Sequence, residues 1–424
     1  MESATSIFEV KEHTVECQHI REYARATADY QEDVLRLAIK QYIPRDNPNP
    51  EQGDVTIIGA HANGYPKELY EPLWEDLHAR SKANGFRIRS IWIADIAHEG
   101  ASSVLNERLI GNDPSWTDHA RDLLHMVNTF RSEIPQPIIG VGHSMGGNIL
   151  TNLALMHPRL LTTIVMLDPV IQQYASATAG PDPNRLSTFR RDLWPTREAA
   201  ETAFRNSPAY KKWDPRVLDR WCAHAIRPTP TAIHPEPNAY TLTTPKHQEC
   251  FYFARPSWPA FSPSGTELLH PELLPDLHPA SPVRFPFYRP EPMNTFLQLP
   301  QLRPSVLYIY GTESGVCEPE GCAKRRELTG TGHGGSGGIE KGRVEEVFLQ
   351  GYGHLIAQEA TTLCAEGMAP WVGKEVQRWK KGLQEYLEWT KKPLVEKQTL
   401  SEEWKRRVGG PPVKKAKEAK GSKL

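Results

Sequence analysis

The chain has 424 residues, with 50 basic and 51 acidic side chains. That length suits one large α/β domain with an insertion, or two domains, and the charge balance lacks the basic excess that nucleic-acid binding requires. No window approaches the ~20 apolar residues of a membrane span, and the opening MESATSIFEVKEH lacks the basic-then-apolar order of a secretory signal; the expectation is a soluble intracellular protein.

In chain order, SIFEVKEHTVEC and EDVLRLAIKQYI read as two strands of a leading hairpin. From Asp54, strand and helix alternate. DVTIIGAH is an apolar run ending at a turn, and KELYEPLWEDLHARSKANG has helical spacing with Gly85 as its stop. FRIRSIWIAD is the next strand. In PSWTDHARDLLHMVNTF, the residues Trp116, Ala120, Leu123, Leu124, Val127 and Phe130 fall on one helical face. PIIGVG, GGNILTNLALMHP and LLTTIVMLD continue as strand, helix and strand. Such alternation implies a mostly parallel central sheet flanked by helices.

The rhythm breaks from Val170 to about Leu302, a stretch rich in proline and aromatics with helical pieces such as TREAAETAFRNSPAYKKW. It resumes at SVLYIYG and ends with GRVEEVFLQ and an amphipathic helix around PWVGKEVQRWKKGLQEYLEW. The expected organisation is a core over 1–169, a cap over 170–302 inserted between strands 6 and 7, and the rest of the core over 303–408. A basic tail over 409–424 has too few apolar residues to fold.

Gly142-His143-Ser144-Met145-Gly146 matches G-x-S-x-G, set between a strand and a helix. A serine on that strained turn has its Oγ lifted clear of the sheet, and the next amide, of Met145, aims at the reacting carbonyl. A second oxyanion donor is expected from the loop after the third strand. There His61-Ala62-Asn63 makes the Asn63 amide the candidate, against the plainer reading of an Asn-Gly turn. The general base is His354, in the turn Gly351-Tyr352-Gly353-His354 after the last strand.

The acid departs from the usual layout. The common position, three residues past Gly311, holds Ser314, which cannot stabilise an imidazolium as a carboxylate does. Loss of the acid costs about 10⁴ in turnover in serine hydrolases. Asp168, at the end of IVMLDPV, is the favoured substitute and keeps the order serine, acid, histidine; its competing reading is an Asp-Pro turn. Glu313 is the alternative acid.

Other patterns carry less. Gly330, Gly332 and Gly335 form G-x-G-x-x-G, but the run follows KRREL rather than a strand; it reads as a mobile connection over the site, not a dinucleotide loop. His98-Glu99 lacks a second histidine four residues on, so it is no zinc-protease motif. Six cysteines include no C-x-x-C, and the closest two, Cys317 and Cys322, lack a second pair; free thiols, no metal and no cofactor are expected. Trp194, Trp213, Trp221, Phe251, Tyr252, Phe253 and Trp258 either line an acyl pocket or form the cap's own core; as a set they favour a hydrophobic substrate. The terminal Ser422-Lys423-Leu424 is a peroxisomal address, which makes the import receptor an expected partner.

With GHSMGG, GYGHL and SKL in place, the chain resembles the α/β-hydrolase superfamily over nearly its whole length. AHANGYPKELYEPLWEDL, MLDPV and GRVEEVFLQGYGHLIAQE are similar to a fungal group. It includes the peroxisomal hydrolases of host-selective toxin biosynthesis (the AK-toxin type) and, more distantly, yeast peroxisomal lipase. The resemblance implies Ser144 and His354 as nucleophile and base of a peroxisomal esterase, lipase or thioesterase serving lipid or secondary-metabolite synthesis. The expected reaction is cleavage of an ester or thioester of a hydrophobic acyl group through an acyl-enzyme. An acyl-CoA thioesterase or acyltransferase differs only in leaving group or second nucleophile, and a catalytically silent hydrolase fold used for binding is the alternative from another class.

Overall fold

The computed structural model describes residues 7–175 and 183–410. The chain forms two compact units, Met1–Gln377 and Arg378–Leu424. The first is built on an eight-stranded sheet whose strands are β1 (Phe8–Glu16), β2 (Arg36–Pro44), β3 (Val55–Ala60), β4 (Ile88–Ala94), β5 (Ile138–His143), β6 (Thr163–Leu167), β7 (Ser305–Gly311) and β8 (Val344–Leu349). Their order across the sheet is β1-β2-β4-β3-β5-β6-β7-β8. The hairpin β1–β2 and the β2–β4 pair are antiparallel. Every other neighbouring pair is parallel.

The strands from β3 to β7 are apolar because both faces are covered. Neighbouring residues diverge to opposite sides: Ile57, Val165 and Leu307 join one core cluster, while Ile58, Ile164 and Val306 join the other. Edge strand β1 instead exposes Glu9, Glu12 and Lys11, charges that keep an open edge from pairing with another chain. The helices follow the pattern of the sequence. Helix α1 (Glu71–Ser81) runs into a 3₁₀ turn that Gly85 ends at φ 79°. Helix α2 spans Gly100–Leu105, and α3 (Trp116–Thr129) is capped by Ser115 and buries Trp116, Ala120, Leu123 and Val127. Helix α4 covers Met145–Met156.

Between β6 and β7 lie short helices, among them Arg197–Asn206, Pro215–His224 and Lys246–Phe253, and a small antiparallel sheet of Leu193–Trp194, Ile226–Pro228 and Tyr240–Leu242. Of the aromatics in this stretch, Trp194, Trp213 and Trp221 are buried in the core cluster on one face of the sheet; Tyr252 is buried in the other cluster, and Trp258 is exposed.

The glycine-rich connection differs from expectation. It does not lie over the site as a mobile segment but is pinned at the other end of β7. Gly330 N donates to Leu299 O (2.8 Å), Gly332 N to Pro300 O (2.8 Å) and Ser336 N to Leu302 O (2.9 Å). Glycine is needed for this close approach, since a Cβ on Gly335 would stand 2.6 Å from Pro300 O.

In the second unit, the end of helix Thr361–Thr390 is followed by helices Leu394–Gln398 and Glu402–Val408, the latter capped by Ser401. Ser422, Lys423 and Leu424 lie outside the described residues. No described helix is long and apolar enough to cross a membrane.

Candidate active site

Ser144 sits between β5 and α4 at φ 56°, ψ −117°, a conformation that side-chain-bearing residues avoid. The neighbouring glycines permit it. A Cβ on Gly142 would lie 2.5 Å from the Gly146 backbone, and one on Gly146 would lie 2.1 Å from Ala60 O. The turn is held by Ser144 N donating to Leu167 O (2.9 Å) and by Val170 N donating to Ser144 O (3.1 Å).

His354 lies 210 residues away, in the loop after β8, with Nε2 2.8 Å from Ser144 Oγ. Its Nδ1 is 2.6 Å from Asp168 Oδ2. A carboxylate only accepts, so Nδ1 carries the proton and Nε2 is left free to accept from the serine hydroxyl. Asp168 follows β6 directly and is fully buried, at φ 44°, with its amide donating to Ile309 O on β7 (2.7 Å). Ser314, at the position where a carboxylate was sought, donates its hydroxyl to Asp168 Oδ2. Glu313 is exposed, and among the described residues it shares no hydrogen bond with His354.

Beside the elbow, the loop after β3 is braced on every side. Ile96 N donates to His61 Nε2 (2.9 Å), so His61 donates from Nδ1 to Ala62 O (2.9 Å). Burial pushes the His61 pKa down, in keeping with a neutral ring. Gly64, at φ 82°, donates its amide to Glu99 Oε2 (2.7 Å), and Asn63 Nδ2 donates to Glu249 O (3.0 Å). Burial pushes the Glu99 carboxyl well above the usual range. The amides of Asn63 and Met145 have no protein acceptor among the described residues; Met145 follows Ser144 directly, and the loop that carries Asn63 packs against the elbow through Ala60 and His61 at Gly146.

A second hydrogen-bonded chain escaped sequence reasoning. Ala62 N donates to Tyr70 Oη (2.8 Å), which donates to His143 Nδ1 (3.0 Å), and His143 Nε2 donates to His354 O (3.0 Å). The loop after β3, the elbow and the histidine loop are thereby tied together. Only neutral His143 can play both parts, and burial pulls its pKa down to about 3. His143 occupies a variable position of the elbow motif, so its residue type alone gave no signal.

Among the described residues no cluster of three His, Cys, Asp or Glu is arranged to hold a metal ion. Residues 57–366 match the Alpha/beta hydrolase family. The chain belongs to that family. This hydrolase is 40% identical over 406 residues to Type I acyl-CoA thioesterase mpaH' of Penicillium brevicompactum, covering 91% of this chain and 92% of that one. It is 30% identical over 245 residues to the abhydrolase domain-containing protein AKT2 of Alternaria alternata, covering 57% of this chain and 84% of the relative. Among solved structures, the peroxisomal alpha-beta-hydrolase Lpx1 of Saccharomyces cerevisiae superposes with a TM-score of 0.67 at 16% identity, covering 95% of this chain and 96% of that one. That last likeness is one of fold.

Proposed function

We propose that this hydrolase is a serine thioesterase that cleaves the acyl-CoA ester of a hydrophobic acid through an acyl-enzyme on Ser144. The observation that carries the reading is the unbroken hydrogen-bond chain from Ser144 through His354 to Asp168. The thioester is favoured over an oxygen ester by the thioesterase relatives that match nine-tenths of the chain.

In this reading His354 Nε2 takes the hydroxyl proton as Ser144 Oγ attacks the carbonyl carbon, and Asp168 stabilises the imidazolium. Ser314 holds the carboxylate in place. The amides of Met145 and Asn63 receive the oxyanion. The C–S bond then breaks, His354 returns the proton to the departing thiolate, and water activated by the same imidazole releases the acid. The insertion between β6 and β7 acts as a cap on the sheet-based core that flanks it in sequence. Its Trp213 and Trp221 pack edge-on against Tyr65, two residues past Asn63, at centroid distances of 5.7 and 5.9 Å. That apolar wall suits a hydrophobic acyl group.

The test is a panel of acyl-CoA thioesters and p-nitrophenyl esters of graded chain length, with fluorophosphonate labelling of Ser144. Higher kcat/KM on the thioesters, and loss of both turnover and label in Ser144→Ala, support the proposal. A preference for oxygen esters makes the protein an esterase, and an unlabelled Ser144 makes it a binding protein. The peroxisomal assignment rests on Ser422-Lys423-Leu424. A fluorescent fusion carrying the last twelve residues is expected in punctate organelles, and diffuse fluorescence overturns it.

A further inference from the structure

Cys317 and Cys322 stand apart from the other four cysteines. Their sulfurs are 2.8 Å apart, and both are buried. Cys317 lies in the loop after β7, and Cys322 in the first turns of helix Pro319–Leu328. Arg325, one turn further on, donates from Nη2 to Cys322 Sγ (3.1 Å).

Arg325 is 1% exposed, and among the described residues it forms no ion pair with a carboxylate. Its remaining hydrogen bonds go to neutral acceptors: Tyr310 Oη, Ile171 O and Val316 O. A guanidinium does not give up its proton, and a buried charge needs a counter-charge. Of the two ionisable groups in contact with it, Tyr310 is held neutral by burial, which pushes its phenol up, and Cys322 is left as the source of counter-charge. Accordingly Cys322 is the one cysteine whose pKa is lowered, first by the hydrogen bond from Cys317 and then by Arg325. The other five are raised: Cys317 by that same bond, the rest by burial. A cleft of about 240 Å³ is lined by Arg325 and by Val316, Glu318 and Gly321, the sequence neighbours of the two thiols, which are themselves not part of its lining.

We propose that Cys317 and Cys322 are an oxidisable thiol pair, closed by hydrogen peroxide into an intramolecular disulfide that locks the loop carrying Ser314. The Cys322 thiolate attacks one peroxide oxygen. The O–O bond breaks and hydroxide leaves, to be protonated to water, giving a sulfenic acid on Cys322. Cys317 sulfur, losing its proton, attacks that sulfur and expels the second oxygen as water. Two thiols are oxidised by two electrons in all, and one peroxide is reduced to two waters.

The loop is small and tightly tied. Cys317 N donates to Ser314 O (3.1 Å) and Val316 N to Ser314 Oγ (3.1 Å), while Ser314 Oγ holds Asp168. Reaching a disulfide length of about 2.05 Å requires the sulfurs to close by less than about 1 Å. Side-chain torsions absorb that, so Ser314 stays on Asp168 and turnover is retained, while opening of the loop is slowed. The effect on activity rests on the proposed serine mechanism; formation of the bond does not.

Both thiols lie on one tryptic peptide ending at Lys324, so the disulfide reads as a loss of two hydrogens and protection from iodoacetamide. The full chain, reduced and then exposed to hydrogen peroxide, is expected to show this peptide oxidised while Cys17, Cys222, Cys250 and Cys364 still alkylate. The oxidised enzyme is expected to keep kcat within about twofold and to lose activity on heating about threefold more slowly. Cys317→Ser and Cys322→Ser are expected to abolish that protection. A peptide that still takes two iodoacetamide groups, or that runs to sulfinic acid without closing, overturns the site. A closed disulfide with an unchanged inactivation rate overturns the lock, and mass analysis decides the site even if no hydrolysis is found.

Discussion

The loops that leave β6 and β7 end in the same place with opposite chemistry. The β6 loop begins at once with Asp168, buried and at positive φ; the β7 loop brings Ser314 to the same carboxylate three residues after Gly311. Because the strands are parallel neighbours, with Leu167 beside Ile309, a side chain leaving either one can reach the imidazole of His354. The carboxylate need not stand where chain counting seeks it. What matters is one oxygen against Nδ1, and adjacent strands, about 4.8 Å apart, offer two routes to that point.

The strongest test of this equivalence is Asp168→Asn, expected to lower kcat by about 10³–10⁴, while Glu313→Gln stays within twofold. A reversed ranking in steady-state assays would move the acid to the β7 loop. A sharper test exchanges the groups. Asp168→Ser with Ser314→Asp is expected to regain about 10- to 100-fold over Asp168→Ser alone, because the carboxylate returns by the other strand. No regain would mean that the strained Asp168 backbone is itself required. Ser314→Ala removes one hydrogen bond from a carboxylate that keeps its histidine, and a fall of about tenfold in kcat with KM little changed is expected.

On the other side of the elbow, Tyr70→Phe leaves the Ala62 amide and His143 Nδ1 without their partner. A loss of about tenfold in both turnover and the rate of fluorophosphonate labelling is expected, with thermal stability reduced by only a few degrees. The smallest effect is one of pH. His143 is buried neutral with its pKa lowered to about 3, against about 6.5 unfolded. Its folded pKa is the lower one, so its contribution to stability is whole above pH 6.5 and is lost as pH falls towards 3. The melting temperature of the wild type should therefore fall more steeply below pH 6 than that of His143→Gln, read by calorimetry across that range.

The two strained turns were unequally legible. The elbow announces itself because Gly142 and Gly146 face backbone atoms at 2.5 and 2.1 Å, so the need for glycine is written as glycine. The turn at Asp168 meets its strain with an aspartate, which looks like any Asp-Pro turn. Ser314 read as a missing acid, since one residue type carries no record of the partner it will meet 146 positions earlier in the chain. The glycine-rich run misled for a related reason. Close packing against Pro300 and flexibility both select glycine, and only the neighbour tells them apart.

Local chemistry written along the chain was enough for the alternation of elements, the apolar strands and the strand-turn-helix around Ser144, since each depends on periodicity or on contacts a few residues away. The meeting of Asp168, Ser314 and His354, the tie from Ala62 through Tyr70 and His143, and the contact of Arg325 with Ile171 depend on which strands lie side by side. Hydrogen bonds and buried charges act over a few ångströms of space, and strand order in the folded sheet sets which distant residues come within that reach.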